Sequence, residues 1–396
     1  MGVLWEPELD DQARHWRDIA RELSTTRFAP LAEELDREQR YPFEHIEAFV
    51  DSGLAGMLVP REYGGLGLSM TAITAVTEEV SAACASTGAI LAAHALGAVP
   101  VQLAGTEEQK RDVLGGLLNG QAISFALTEE GAGSDAAAIR SVAEEEGDGF
   151  RLTGEKIYIG NGSVSSRYVV FARTDGASGG RGISAFVVPA DADGVTIDRI
   201  EDKMGIRGTR TSNLKLDGVR VPASAMLGER GRGLRLALRT LDLGRITVSA
   251  QGLGIALAAY RLAAAEAVRR TTFGKPIIEN QGISFRLADL AVELSAARML
   301  TYQAASAHDR GDPVSLPGAM AKLYSSEVAH RAVDLAVQVF GGDGFCKPCP
   351  AERLYRDQRV LEIYEGSSEI QRVVLSRAVA AEFEQAAEPT TPVAVG

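Results

Sequence analysis

The chain is expected to be mainly helical with a central β domain: an N-terminal helical domain over residues 1–122, an antiparallel β domain over 123–232 and a C-terminal four-helix bundle over 233–396. Three observations carry this. Apolar residues recur at helical spacing before residue 122 and again after Gly233. Between them lie short β-branched or alternating runs set off by Gly and Asp, spaced like hairpins rather than βαβ units. And 396 residues are too many for one ordinary domain of about 150.

The elements follow in order. Pro42 opens a short helical stretch, Phe43 to Val50, that stops at Gly53. Pro60 to Leu68 reads as a Gly-rich loop, and Ser69 caps a helix running through Val80. Residues 81–104 contain no Lys, Arg, Asp or Glu, so they read as a helix buried on most sides. Thr106 with Gln109 forms a capping box for the next helix. Strands are expected at 150–159, 168–173, 183–189, 195–200 and 214–222. Residues 234–270 lack Pro and are apolar almost all round, which predicts a helix of about 55 Å. A second bundle helix carries Ile283, Leu287, Leu290, Leu294 and Ala297; a third carries Met320, Tyr324, Val328, Leu335 and Val339. The fourth begins at Ser367 or Ser368 and passes Arg377, and the tail from Glu388 is expected to be loose.

Composition narrows the function. Hydrophobic residues at 45% and charged residues at 24% support a large core and exclude global disorder. Lys+Arg 41 against Asp+Glu 53 gives −12, the wrong sign for a nucleic-acid or anionic-membrane binder. No apolar run is expected to reach the roughly 20 residues of a membrane span. Acids at Glu6, Glu8, Asp10 and Asp11 are unlike a signal or transit peptide. Cys84, Cys346 and Cys349 cannot build a disulfide framework. A soluble cytoplasmic protein is expected.

Several chemistries are absent. There is no phosphate loop of the G-x-x-x-x-G-K-[ST] type, no H-E-x-x-H, no G-x-S-x-G and no G-x-G-x-x-G after a strand. Ser212 to Lys215 fits S-x-x-K, but within an alternating strand and without companion motifs. The five histidines lack metal-ligand spacing, and the single C-x-x-C at Cys346–Cys349 lacks two further zinc ligands, so no metal site is expected. His94, inside the uncharged helix, reads as a core or pocket-lining residue.

Five glycine-punctuated segments remain. Phe125 to Asp135 is a strand entering a Gly-rich turn, where backbone amides can approach a flat or anionic ligand and Thr128 and Ser134 add short donors. Lys156 to Gly162 repeats the pattern. Arg270 at a helix end suits bidentate phosphate binding, and Gln338 to Gly344 ends another helix with more glycines than a C-cap needs. Glu365, between Tyr364 and Gly366 before a helix, reads as a general base if partly buried.

Taken together, FALTEEGAGSD, KIYIGNG, KMGIRG, LDLGR, RTTFGKPI, QVFGGDGF and IYEGSSEIQR resemble the acyl-CoA dehydrogenase family over roughly residues 8 to 385. LDLGRITVSAQGLGIA is most similar to short-chain and short branched-chain members. The resemblance implies that fold, tightly bound FAD, a homotetramer and an electron-transferring flavoprotein as electron acceptor. It implies that Phe125, Leu127, Thr128, Gly133, Ser134, Tyr158, Ile159 and Gly160 line the flavin. Arg270, Thr272, Phe273, Gln281, Gln338, Gly341 and Gly342 would hold its diphosphate and adenosine end across a subunit interface, with Ser367 and Glu369 also touching FAD. Ser134, Asp242, Arg245 and Gly366 would contact the acyl thioester and its carrier. Glu365 occupies the catalytic-base position. Some relatives place the base in the L-D-x-x-R segment, where this chain has Gly244.

The chain departs from the family pattern at Glu130, Tyr158 and Gly160, where Pro, Trp and Thr are usual, and in GFCKPCP. No Arg within 81–104 anchors a second carboxylate, so a dicarboxylic substrate is not expected. The implied activity is α,β-dehydrogenation of an acyl thioester, with Glu365 as base and flavin N5 as hydride acceptor. Three rivals stand beside it: the same chemistry on an acyl carrier protein, a flavin oxidase or monooxygenase, and a non-catalytic thioester-binding protein.

Overall fold

The computed structural model describes residues 2–176 and 179–387, the side chains of 385–387 excepted. The N-terminal part holds α1 (Asp11–Leu23), α2 (Ala29–Glu38), α3 (Phe43–Asp51), α4 (Met70–Ala83), α5 (Ala85–Ala104) and α6 (Glu107–Leu118). Ser69 caps α4, and Thr106 and Gln109 form the reciprocal capping box of α6. The expected single helix over 81–104 is two. Cys84 is extended at φ −148°, ψ 105°, so residues 81–83 finish α4 and α5 starts afresh.

The central strands are β1 (Ala122–Ala126), β2 (Val142–Glu146), β3 (Gly149–Ile159), β4 (Ser165–Arg173), β5 (Ile183–Pro189), β6 (Val195–Ile200), β7 (Ser212–Pro222) and β8 (Met226–Leu227). They pair in the order β6-β7-β3-β2-β4-β5-β8, with β1 alongside β4. Most pairs are antiparallel, as expected. β1 and β4 are parallel, and β2 meets β4 through one parallel bridge. The reason is the connection: β1 runs into the glycine-rich turn rather than a hairpin, so its partner comes much later in the chain. Tyr168 to Ala172 of β4 are buried on both faces, which marks the centre of the sheet.

The C-terminal part holds α7 (Gly233–Arg269), a two-stranded hairpin of β9 (Thr271–Thr272) and β10 (Lys275–Pro276), α8 (Gln281–Asp309), α9 (Ser315–Phe340), short α10 (Gly342–Phe345), α11 (Pro350–Gln358) and α12 (Ser368–Ala387). α7 packs against α4, α5, α8 and α9, which explains a helix apolar all round. A Cβ at Gly254 would lie 2.4 Å from the Glu78 carbonyl oxygen, so glycine there lets α7 and α4 approach closely. Contrary to the expectation that no segment could span a membrane, α5 and α7 are long and apolar enough by length and composition; they are instead mostly buried within the protein.

One core cluster joins the parts: Ala98 and Val101 of α5, Ile123 of β1, Val169 and Phe171 of β4, and Leu236 and Ala237 of α7. The N-terminal segment is tied down electrostatically. Arg298 of α8 donates to the Trp5 carbonyl at 2.8 Å, to Glu6 at 2.9 Å and to Glu78 of α4 at 2.8 Å. α5 and α7 therefore run as fixed rails between the sheet and the bundle, and the candidate site lies along them.

Candidate active site

Glu365 stands on the short connection before α12. Its backbone is left-handed at φ 53°, and Gly366 follows at φ 89°. A non-glycine residue held there stores about 1–3 kcal/mol, so the surroundings must enforce the turn. They do: Lys322 Nζ, fully buried in α9, donates to the Gly366 carbonyl at 2.7 Å, and Gln371 Nε2 donates to the same oxygen at 2.8 Å. Tyr364 is fixed by its hydroxyl donating to Gln251 Oε1 on α7.

The turn drives the carboxylate against α7. A Cβ at Gly244 would lie 2.2 Å from Glu365 Oε2 and 2.8 Å from Leu96 Cδ2 of α5. The two positions at which a base was weighed thus converge on one point, and only a glycine at 244 leaves room for Glu365. Although the residue as a whole is half-buried, Oε2 is sealed from solvent and has no hydrogen-bond partner. Burial pushes the carboxyl up to about 8, against the opposing pull of Lys322 and Arg245. Burial likewise pushes Lys322 down, with Glu365 holding it up. Arg245 is buried; its guanidinium pairs with Asp242 at 2.8 Å, and its Nε has no partner. Ser315 Oγ donates to the same Asp242 oxygen at 3.1 Å.

Two cavities flank these helices. One of about 270 Å³ reaches Leu96 and Gly244 and is lined by Leu58, Met70, Ile73 and Leu243 among others. A larger one of about 350 Å³ lies between α2, the α4–α5 break, α7 and α11 and shares no residue with the Glu365 group. Geometry, not size, selects the first as part of the site.

On the sheet side, a buried ion pair shapes the glycine-rich turn. Lys156 Nζ donates to Glu129 Oε1 at 2.6 Å and to the Leu127 carbonyl at 3.2 Å; Glu129 also accepts from Ser141 Oγ at 2.6 Å and Arg140 N at 2.5 Å. Burial would raise the Glu129 carboxyl, but Lys156 and these donors outweigh it and hold it low; burial pushes Lys156 down to about 8. The loop is pinned at its base, and Gly131, Gly133 and Ser134 stand exposed at its tip. Phe125 packs on Phe171 with centroids 4.8 Å apart, Leu127 is buried, and the Thr128 carbonyl accepts from Ile157 N. Tyr158 is exposed at φ 58° and donates its N–H to Asn213 Oδ1 at 3.0 Å; Ile159 is buried; Gly160 accepts from Ser124 Oγ at 2.6 Å. A Cβ on Gly160 would be 3.2 Å from Ala93 Cβ, one helical turn from Leu96. The Tyr158–Gly160 strip and Glu365 therefore flank the same stretch of α5.

Around Glu365, polar atoms without partners among the described residues include Glu365 Oε2 itself and Gln371 Oε1, and on the neighbouring helices Arg245 Nε, His94 Nε2 and Ser368 Oγ are also unpartnered. Burial pushes His94 down to about 4, so it is neutral at neutral pH. Buried polar groups normally have partners, and the unpartnered Glu365 Oε2 beside Gly244 fits a site at which a ligand supplies one. With an exposed glycine turn and an extended strip beside it, the residues present fit a flat cofactor such as a flavin. Ser367 and Glu369 begin α12 next to it, with Ser367 Oγ accepting from Ile370 N at 3.4 Å.

The remaining expected cofactor residues are elsewhere. α7 ends, α8 begins and α9 ends at one pole of the bundle, which gathers Arg270, Thr272, Phe273, Gln281, Gln338, Gly341 and Gly342; all but the half-buried Thr272 are exposed. From residue 244 to 270 along α7 is about 39 Å. One chain does not bring the two groups together. Sequence reading missed Lys322 and Glu129. Lys322 carries no local signal in a helix of mixed composition, while Glu129 follows Thr128 in a motif read for its glycines.

Family models of the acyl-CoA dehydrogenase N-terminal, middle and C-terminal domains match residues 10–121, 124–219 and 231–380. Short-chain specific acyl-CoA dehydrogenase, mitochondrial, of Mus musculus is 43% identical over 376 residues, covering 94% of this chain and 91% of that protein. Among solved structures, butyryl-CoA dehydrogenase of Megasphaera elsdenii matches with TM-score 0.92 at 38% identity, covering 95% of this chain and 100% of that one. A chain solved in work on the electron transferring flavoprotein of Acidaminococcus fermentans matches with TM-score 0.92 at 39% identity, covering 95% and 99%.

Two outcomes follow from the geometry. Gly to Ala inside a helix ordinarily stabilises by about 0.5–1 kcal/mol. Gly244→Ala should instead destabilise by about 1–3 kcal/mol in denaturant unfolding, because the new methyl overpacks against Glu365 and Leu96; in a Glu365→Ala background the penalty should shrink, since only the contact with Leu96 remains. In Lys322→Met, loss of the nearer cation leaves burial opposed only by Arg245, so the Glu365 carboxyl should titrate above about 8. Infrared difference spectroscopy against a Glu365→Gln blank would read this; Lys322→Arg should keep most of the wild-type midpoint, and an unmoved midpoint in the Met variant would contradict the coupling.

Proposed function

This chain belongs to the acyl-CoA dehydrogenase family, and from that premise we propose that it removes hydrogen across the Cα–Cβ bond of a short-chain acyl thioester, with Glu365 as the base. The observation that carries this is the Glu365 carboxylate: enclosed, without a hydrogen-bond partner, raised to about 8 and aimed at bare helix backbone. A carboxylate of that basicity removes a carbon-bound proton near neutral pH far better than an ordinary one. The short chain is supported by similarity to the mouse short-chain enzyme and to butyryl-CoA dehydrogenase.

When bound, FAD supplies the hydride acceptor at flavin N5. The chain's own residues do the rest. Lys322 and Gln371 hold the Gly366 carbonyl and thereby aim Glu365. Leu96, Leu243 and Tyr364 exclude water, which strengthens every charge interaction inside. Glu365 receives the α proton on Oε2, and it must first be ionised: the reaction should speed up as pH rises toward 8. Phe125 to Ser134 and Tyr158 to Gly160 would hold the isoalloxazine.

The diphosphate end needs a second copy of the chain. Arg270 and its neighbours lie about 39 Å along α7 from Gly244, farther than one extended FAD reaches, so they would serve a partner's flavin. Exposed apolar residues support such assembly. Phe285, Val292 and Met299, seven residues apart on α8, are 58%, 71% and 46% exposed, a stripe that suits helix pairing. A homotetramer is proposed, with an electron-transferring flavoprotein taking the electrons.

Anaerobic bleaching of the flavin by butyryl-CoA tests the reaction. Wild-type protein should purify yellow and bleach. Glu365→Gln should stay yellow and bind thioester, yet bleach at least about 10⁴-fold more slowly, the upper range of a general-base contribution; bleaching at the wild-type rate would overturn the assignment. Light scattering should give a tetramer, and Arg270→Ala should lose flavin; a fully flavin-loaded monomer would contradict the shared site.

A further inference from the structure

We propose that Cys346 and Cys349 are a reversible oxidation site, at which hydrogen peroxide converts the two thiols into one disulfide that ties α10 to α11. Both are free thiols, and neither takes part in the dehydrogenation proposed above. They stand in the GFCKPCP segment, where the chain departs from the family pattern, so the shared reaction does not account for them.

The turn sets the spacing. Cys346 ends α10 and Cys349 precedes the first residue of α11. Between them the chain turns tightly, and the Cys349 N–H donates to the Cys346 carbonyl at 3.1 Å. Such a turn holds its end Cα atoms within about 7 Å, and the Cα atoms of a disulfide lie about 4.4–6.8 Å apart. Cys346 at φ −108°, ψ 144° and Cys349 at φ −60°, ψ 128° are both extended. Residues so placed across a turn send their side chains to one face, as opposed residues of a hairpin do. Bridging asks for rotation about the Cα–Cβ bonds rather than for a new backbone path.

Exposure separates the two roles. Cys346 is exposed, with Phe345 before it 85% exposed and Lys347 after it exposed too. Cys349 is half-buried against the core cluster of the bundle. Cys346 is therefore the thiol that meets the oxidant. Its sulfur attacks one peroxide oxygen: an S–O bond forms, the O–O bond breaks, and the other oxygen leaves with the thiol proton as water. The Cys349 sulfur then attacks the Cys346 sulfur. An S–S bond forms, the S–O bond breaks, and hydroxide leaves with the Cys349 proton as a second water. The sulfurs together lose two electrons and the peroxide oxygens gain them. A small dithiol reverses the change by exchange. Cys84 stays outside this chemistry: it is buried at the α4–α5 break, and burial pushes its thiol up.

The bridge acts at the flavin end of the bundle. α10 joins the turn to Gly341 and Gly342 at the end of α9, in the exposed pole proposed above to serve a partner's flavin. It is already held close there, since a Cβ on Gly344 would lie 2.5 Å from the Val337 carbonyl oxygen of α9. A disulfide that keeps the turn restricts this pole further, so a ligand held there loses less freedom on binding. Oxidation should tighten the flavin rather than expel it. This consequence rests on the shared-site reading; formation of the disulfide does not.

The test compares flavin-loaded wild type, Cys346→Ser and Cys349→Ser before and after mild hydrogen peroxide. Oxidised wild type should lose two of its three cysteine thiols and the mass of two hydrogens, with the bond mapped between residues 346 and 349. Dithiothreitol should restore both thiols. Cys349→Ser should stop at a sulfenic acid on Cys346 that dimedone traps, and Cys346→Ser should keep its thiols. FAD release, followed by free-flavin fluorescence, should be at least about fivefold slower in oxidised than in reduced wild type, the worth of ordering one backbone residue beforehand. Neither variant should show that difference. Three unmodified thiols after peroxide, a bond to Cys84 or a bond between copies of the chain would overturn the site. A 346–349 disulfide with unchanged FAD release would overturn the link to the flavin. The same disulfide in protein that takes up no flavin would leave the oxidation site standing and remove the shared-site reading.

Discussion

The Glu365 carboxylate can occupy its place only because the facing turn of α7 carries no side chain at Gly244, where a Cβ would lie 2.2 Å from Oε2. Much else serves that contact. From Gly244 to Leu257 every residue of α7 is buried, so its backbone there cannot shift to make room. The turn at Glu365 and Gly366 is left-handed and is held from two sides, by Lys322 on α9 and Gln371 on α12. Leu96 on α5 closes the third side and links the base to the strip at Tyr158–Gly160 through Ala93. Loosening any of these rails would let the carboxylate turn toward water and return toward ordinary acidity.

Two buried acid–lysine arrangements in this protein show what separates a structural ion pair from a reactive one. Glu129 meets Lys156 directly and accepts further bonds from Ser141 and Arg140, so its charge is fully compensated and its carboxyl sits low. Lys322 instead donates its hydrogen bond to the Gly366 carbonyl, leaving Glu365 within its field but with Oε2 unpartnered. Burial then dominates and the carboxyl rises. Similar residue types give a compensated anchor in one place and a raised, unpartnered carboxyl in the other, and the difference is whether the acid's hydrogen bonds are satisfied.

α7 also sets the scale of the molecule. Its first turns carry exposed arginines, its second quarter faces Glu365, its middle packs on α4 through Gly254, and its end presents Arg270 at the pole of the bundle. A rigid helix cannot fold back to bring its two ends to one ligand. Under the proposed assembly, cooperation between the ends would pass through a second copy, for which the exposed apolar stripe of α8 offers a surface.

Periodicity and punctuation in the sequence determined the order of helical, β and helical parts, the capping of α4 and α6, the long apolar helix, and Glu365 on a loop between an aromatic and a glycine. Each is a local property: a spacing of 3.6 or 2, a cap or a breaker leaves its mark within a few residues. The tertiary structure alone decided that β1 runs parallel to β4, that the chain breaks at Cys84, and that Arg270 and Glu365 belong to separate places. It alone brought Lys322 to a carbonyl 44 positions away and set Gly244 against the carboxylate. The physical reason is that a helix pattern fixes which face is buried but not what lies opposite. Which side chain meets a buried acid depends on how whole helices pack, and so did the environment that makes Glu365 basic.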